Sequence, residues 1–154
     1  MKAFKIVFLT LLFLNGFLLN SLFAKEININ SDKMEVFEDD GLAVFTGKVF
    51  AQTKDIKLWA DKLYVYYIKG EAKRDIQRIV AIGGVKIERE KWKAVAGKAT
   101  YFKGEEKLIL EENPKVWHEK NLVEGDLITI YFNEDRSEVF SRSGGRVRVK
   151  IYEK

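Results

Sequence analysis

The sequence predicts an all-β protein, and two local observations lead to this fold class. Beyond residue 25, apolar and polar residues alternate in short runs such as Val85-Lys86-Ile87 and Leu108-Ile109-Leu110. Turn-forming pairs, among them Lys103-Gly104 and Asn113-Pro114, stand between the runs, and helical periodicity is nearly absent. Short alternating strands at this spacing predict about 10 to 13 strands.

A third observation is that the runs repeat as hairpins. Segments 45–51, 82–88, 113–119 and 144–150 each consist of a turn followed by an alternating strand. A second element, at 31–37, 60–66, 96–102 and 124–130, aligns without gaps. Such a hairpin buries its apolar face only by stacking on its neighbours. The sequence therefore predicts stacked hairpin repeats with one shared interior and an unpaired strand at each end.

A charged residue interrupts the second element of the repeat. In Leu58-Trp59-Ala60-Asp61-Lys62-Leu63 the apolar alternation shifts by one residue across Asp61. The gapless alignment makes Asp32, Asp61, Gly97 and Gly125 equivalent. An extra residue in a β-bulge at this point keeps the apolar face inward, and glycine and aspartate both tolerate left-handed backbone. We therefore interpret Asp61 as a bend residue and not as a catalytic carboxylate.

The first 24 residues differ from the rest of the chain. Lys2 and Lys5 precede an apolar run over 6–19, and Ser21-Leu22-Phe23-Ala24 is a plausible cleavage site. This layout predicts a cleaved signal peptide at 1–24 and one domain at 25–154, with an uncleaved membrane anchor as the alternative. After cleavage, 25 basic residues face 23 acidic ones, so the high pI carries little weight as a sign of nucleic-acid binding.

The residue types needed for catalysis are scarce. The chain has no cysteine and a single histidine, His118, without a serine or cysteine placed to form a nucleophile system with it. One histidine with scattered carboxylates is a poor transition-metal ligand set. The sequence predicts no catalytic residue, no metal site, no cofactor and no enzymatic activity.

The alternation also predicts the residues that line the interior of the stack. Sequence alone leaves open whether this interior is an ordinary sandwich core or a groove for a lipid chain. The predicted interior residues are Val49, Ile56, Leu58, Leu63, Val65, Val85, Ile87, Trp92, Tyr101, Val116, Leu122 and Leu127.

The order of several short segments is similar to that of a known family. The segments are "INSDKMEVF", "AVFTGKV", "LWADKLYV", "IVAIGGVKI" and "VWHEKNLVEGDLITIYF". Together they resemble the LptA/OstA-like proteins of lipopolysaccharide transport over roughly residues 27–151. The resemblance implies a twisted, partly open β-jellyroll in the periplasm of a Gram-negative cell, with lipid A acyl chains held inside. It also implies a head-to-tail homo-oligomer that joins an LptC-like inner-membrane protein to an LptD-like outer-membrane barrel.

Head-to-tail stacking requires pairable edge strands, which the alternation places at 27–30 and 146–151. The residues expected at these partner edges are Ile27, Ile29, Val147, Val149 and Ile151. Within the same class, the alternative is an LptC-like protein anchored by residues 1–24. Outside it, the alternatives are a ligand-free β-solenoid or adhesin-like module and, third, an enzyme acting on envelope glycans.

Overall fold

The computed structural model describes residues 26–70, 75–142 and 144–153, and their regular structure is entirely β. The strands are β1 Asn28–Asn30, β2 Lys33–Phe37, β3 Leu42–Gln52, β4 Lys57–Ile68, β5 Asp75–Arg89, β6 Trp92–Phe102, β7 Lys107–Glu111, β8 Lys115–His118, β9 Asn121–Glu124, β10 Leu127–Tyr131, β11 Arg136–Phe140 and β12 Arg148–Lys150. These 12 strands form one antiparallel sheet, which confirms the all-β prediction. The predicted signal peptide, residues 1–24, lies outside the described residues. Within the described ranges, no helix is long and apolar enough to cross a membrane.

The sheet is a meander that is bent once along a line crossing all its strands. β3, β4, β5 and β6 run through the bend, whereas the strands beside them are interrupted there, between β1 and β2, β7 and β8, β9 and β10, and β11 and β12. The bend divides the sheet into two arms. The β2 arm contains β2, β7, β10 and β11, and the β12 arm contains β1, β8, β9 and β12, each with the adjoining halves of β3–β6.

The predicted shift in alternation occurs at the bend. Ala60 and Leu63 of β4 are both buried although an odd number of positions separates them, and Ala96 and Ala99 of β6 repeat the pattern. The prediction that the extra residue sits at Asp61 is wrong, because Asp61 is the single β4 residue between Ala60 and Lys62 while the paired segment of β3 has two residues at that point.

The extra residue lies instead on the neighbouring strands. The pairing shifts between Thr46 and Val49 of β3 and between Ile82 and Val85 of β5. At these bulges Gly47 and Lys48 have φ of 88° and 45°, and Gly83 and Gly84 have φ of 86° and 51°. The left-handed backbone that motivated the prediction is therefore present on β3 and β5, where glycine adopts it without a Cβ penalty.

The register also corrects the fourth copy of the repeat. Lys62, Lys98 and Leu127 lie in one row across the sheet, so the residues before them, Asp61, Gly97 and Asp126, are equivalent. Gly125 is one position too early, because the gapless alignment missed a one-residue offset at the break between β9 and β10. The Asp126 carboxylate accepts hydrogen bonds from Ser141 Oγ at 3.1 Å and from the Arg142 N–H at 2.6 Å.

The inner faces of the two arms pack against each other. Leu63 and Leu110 of the β2 arm and Val85 of the β12 arm are at most 2% exposed and belong to one apolar cluster. A single-layer sheet leaves both its faces open to water, so burial this complete requires a second layer. The other arm supplies that layer, and the result is a bent sheet folded over its own apolar face.

Candidate functional site

The candidate site is the inner face, on which apolar residues form rows that cross the whole sheet. Cross-strand pairing defines the first row, which runs through the β2 arm as Met34, Phe45, Leu63, Ala81, Ala99, Leu110, Ile128 and Val139. A parallel row in the β12 arm consists of Ile29, Ala51, Leu58, Ile87, Ala94, Val116, Val123 and Val149. Each row is apolar from the first strand of its arm to the last.

Ten of the twelve residues predicted for the interior lie in or against the apolar cluster. Five of them are buried, namely Val49, Leu63, Val65, Val85 and Ile87. Five others are partly buried and pack against these, namely Ile56, Leu58, Trp92, Tyr101 and Val116. The structure thus brings these ten side chains to one continuous surface.

Leu122 and Leu127 lie on the outer face, so the prediction that they line the interior is wrong. Leu122 pairs with Trp117, and Val123 is the β9 residue that pairs with the inner residue Val116. Leu127 pairs with Glu111, and the buried neighbour on β10 is Ile128. The prediction places the inward-facing residues of this segment one position too early, and the same one-residue error places Gly125 where Asp126 belongs.

The outer face of the β2 arm carries a shallow groove of about 660 Å³, and Leu127 lines it together with Tyr64, Tyr66 and Arg78. The Arg78 guanidinium stacks over the Tyr66 ring at 4.1 Å. Lys107 lies over Phe102 at 4.9 Å in the same arm. Both are cross-strand pairs that stabilise the outer surface through cation–π attraction. The groove is on the opposite side of the sheet from the apolar rows.

Aromatic residues mark the rim where the two arms meet. The Arg89 guanidinium of the β12 arm lies 5.9 Å from the ring centroid of Phe132, which follows β10 of the other arm. Phe132 also contacts Tyr101 edge to face at 6.4 Å. Burial raises the pKa of the Tyr101 hydroxyl, the Glu106 carboxylate raises it further, and Lys103 opposes them.

Both ends of the sheet expose strand edges. Ile29 lies in β1 and Val149 in β12, while Ile27 precedes β1 and Val147 and Ile151 flank β12. Among the described residues, β1 pairs only with β3 and β12 only with β9, so each has an unpaired outer edge.

Two further edges, β2 and β11, were not predicted from the sequence. β2 pairs only with β3, and β11 only with β10, within the described residues. Met34 is 55% exposed at the β2 edge, and Phe140 is 59% exposed at the β11 edge. The bend predicted at Asp32 could have revealed the β2 edge, because a bend there divides one terminal strand into two halves, β1 and β2.

The residues considered for catalysis are not gathered into a site. His118 is exposed at the end of β8 opposite Trp92, and Asp61 is exposed on β4. Among the described residues, no group of three or more histidine or carboxylate side chains is placed to hold a metal ion. The apolar interior and the strand edges are therefore the features from which a function can be argued.

A bent all-β sheet, folded over an apolar inner face and unpaired at both ends, defines an open β-jellyroll. The sequence matches, over residues 28–136, the family described as LptA/(LptD N-terminal domain) LPS transport protein. The match covers more than half of the chain, so this chain belongs to the LptA/LptD N-terminal domain family of lipopolysaccharide transport proteins.

The fold is similar to a crystal structure of LptH from Pseudomonas aeruginosa, described as the LptA homologous periplasmic component of the lipopolysaccharide transport device. The TM-score is 0.74 at 20% identity, covering 84% of this chain and 96% of LptH. At this identity the likeness establishes the fold, and it confirms the β-jellyroll prediction. No curated protein sequence matches the chain.

Proposed function

We propose that this protein is a periplasmic lipopolysaccharide carrier that shields lipid A acyl chains between its two arms. The observation that carries the proposal is the pair of apolar rows that run across the inner face and reach the edge strands at both ends of the sheet. Burying about 12 methylenes of an acyl chain is favourable by about 10 kcal/mol, at about 0.8 kcal/mol each. An interior of this kind can therefore hold a lipid chain out of the aqueous periplasm.

The interior has small side chains along its middle, which suits a thin flexible guest. Ala81, Ala94 and Ala99 are at most 3% exposed on the central strands. The arms pack on each other in this structure, so an acyl chain enters as they separate and replaces contacts between the arms with contacts to lipid. The aromatic rim at Tyr101 and Phe132 is the place where the arms part first, since its side chains are only partly buried.

The open edges support head-to-tail assembly. The β1–β2 edge of one copy pairs with the β11–β12 edge of the next by β-strand addition, which joins their inner rows end to end. The same edges dock an LptC-like protein at one end and an LptD-like barrel at the other. Residues 1–24 act as a cleaved export signal, and the mass of the native N-terminus distinguishes this protein from an anchored LptC-like protein.

Site-specific photocrosslinking in cells tests the carrier function. A photoreactive amino acid at Leu58 or Ile87 faces the interior, whereas Tyr64 and Val80, which pair on the outer face of the β2 arm, serve as controls. We expect lipopolysaccharide adducts at the inner positions and few at the outer ones. Equal yields at both, or no adduct at any inner position, contradict the proposal and favour a closed structural module.

A further inference from the structure

The outer face of the β12 arm concentrates positive charge. The register brings six cationic strand residues to this face, namely Lys57, Lys86, Lys93, Lys115, Arg148 and Lys150. Two carboxylates share it, Glu88 and Glu124. These eight residues, here called the basic outer face, carry four more positive than negative charges.

Four of the six cations are available to a ligand. Lys86 pairs with Glu88 at 3.0 Å and Lys115 with Glu124 at 3.3 Å. The other four are exposed, and within the described part of the chain no carboxylate lies at ion-pair distance from them. They are Lys57, Lys93, Arg148 and Lys150.

The outer face of the other arm also carries six cationic strand residues, but four of them are ion-paired, including Lys107 with Glu105 at 2.7 Å. Lys33 pairs with Glu35 at 3.0 Å, and Lys98 lies 3.9 Å from Glu111. Arg136 is held by Glu134 at 3.1 Å. The remaining two, Lys62 and Arg78, have no carboxylate at ion-pair distance within the described part of the chain, but both are half-buried and lie over tyrosine rings. The exposed unpaired cations are therefore concentrated on the β12 arm, and the net charge of the whole chain does not account for this difference.

Aromatic rings lie among these cations. Lys86 stands over the Trp59 ring at 4.5 Å, and Lys93 over Trp117 at 5.7 Å. Phe50 packs against Trp59 with ring centroids 5.2 Å apart. The eight residues span six neighbouring strands from β4 to β12, so the face is roughly 24 Å wide at about 4.8 Å between strands. Cations distributed among aromatic rings over this width are suited to binding a wide surface whose negative charge is diffuse.

We propose that the basic outer face docks this protein on a membrane surface that contains anionic phospholipids. A layer of phosphate headgroups is wide and diffusely negative, and each lysine or arginine near it adds to the attraction. Tryptophan favours this interface because its ring is apolar and its N–H is polar. Single-stranded nucleic acid fits less well, since Lys86 and Lys93 lie over the tryptophan rings on which its bases would stack. This docking is independent of lipid carriage, because the two faces lie on opposite sides of the sheet.

The test is co-sedimentation of the exported protein with vesicles. Vesicles of phosphatidylcholine are compared with vesicles that also contain phosphatidylglycerol. The first variant replaces Lys57, Lys93, Arg148 and Lys150 with serine. The matched variant replaces Lys33, Lys62, Lys98 and Lys107 with serine and so makes the same change in net charge on the other arm.

We expect at least about tenfold tighter binding to the anionic vesicles, with the preference lost between about 50 mM and about 500 mM salt. The first variant should lose at least about tenfold in affinity, and the matched variant less than about threefold. Equal losses in both variants, or no preference for anionic vesicles, overturn the proposal. So does binding of polyphosphate without binding of vesicles.

Thermal unfolding checks that both variants fold. If the first variant unfolds, the pair Lys57→Ser and Lys150→Ser, on opposite sides of the face, replaces it, with Lys33→Ser and Lys107→Ser as its control.

Discussion

The Asp61 side chain on β4 lies directly against the α-carbon of Gly83 on β5. A Cβ atom built on Gly83 would lie 2.8 Å from Cβ of Asp61, closer than real side chains approach. Asp32 and Gly47 repeat the arrangement, with 2.9 Å between the corresponding atoms. Between β6 and β7 the glycine comes first along the chain and the carboxylate second: Gly97 of β6 leaves space for the side chain of Glu112, which follows β7. A carboxylate on one strand is thus matched by a glycine on its neighbour at successive positions along the bend.

This match predicts coupling between Asp61 and Gly83. Gly83→Ala introduces both left-handed strain and a clash with Asp61, and we expect a loss of about 2 to 4 kcal/mol in the free energy of unfolding. In an Asp61→Gly background only the strain remains, so the loss should be smaller by about 1 kcal/mol or more. Urea unfolding of the four proteins in the cycle measures the difference.

Gly104→Ala is the control for this cycle, because no atom lies within 4 Å of its added Cβ. We expect it to change stability by less than about 0.5 kcal/mol. Additive effects of Asp61→Gly and Gly83→Ala contradict the coupling. Asp61→Gly alone should be tolerated, as Gly97 at the equivalent position indicates, whereas Asp61→Val should destabilise the bend.

The two faces of the sheet predict different costs for the same substitution. Leu110 has 0% exposure on the inner face, whereas Leu127 is half-buried on the outer face of the adjacent strand. We expect Leu110→Ala to lower the free energy of unfolding by about 2 to 5 kcal/mol and Leu127→Ala by about 1 kcal/mol or less. Chemical denaturation measures both. Equal losses would mean that the faces of β10 are assigned wrongly.

The raised pKa of Tyr101 predicts a loss of stability in alkali. Its folded-state pKa lies above the value near 10 expected when unfolded. As pH rises through about 10, the unfolded state releases this proton first, so the folded state binds more protons and stability falls. Tyr101→Phe should flatten this part of the pH profile. Urea unfolding between pH 9 and pH 11, at about half-unit steps, measures it. An unchanged slope in the variant contradicts the assignment to Tyr101.

The open edges predict that assembly depends on the strand β12. Val149 is 57% exposed in β12, and Val149→Glu should weaken self-association by at least about tenfold, because a charge is then buried at the contact. Ile68→Glu is the matched control, since Ile68 is 50% exposed but lies on the central strand β4. Analytical ultracentrifugation measures both. Equal weakening by the two variants contradicts edge pairing, and unfolding curves should show both monomers intact.

Much of the fold and the site follows from the sequence because strand alternation is local. Leu63, Val85 and Ile87 are inner residues because each belongs to a run in which every second side chain is apolar. The shift of alternation across Asp61 also shows in the sequence, since it lies within one strand. The sequence does not reveal which strand carries the extra residue of the bulge, because a bulge is defined by the pairing of two strands. Gly83-Gly84 on β5 gives β4 the space to bend.

That this protein consists of repeated β-hairpins with an apolar face can be read from the amino-acid sequence, because the backbone geometry of each strand sets the period-two pattern. That Val123 and Ile128 face inward, and Leu122 and Leu127 outward, follows only from the pairing of the strands. The same pairing gives the terminal strands four edges. The strand structure is interrupted at residues 125–126, between β9 and β10, and across such a break the phase of alternation is fixed by pairing with β6, β7 and β8. Those contacts lie between strands, where a pattern within one strand carries no information.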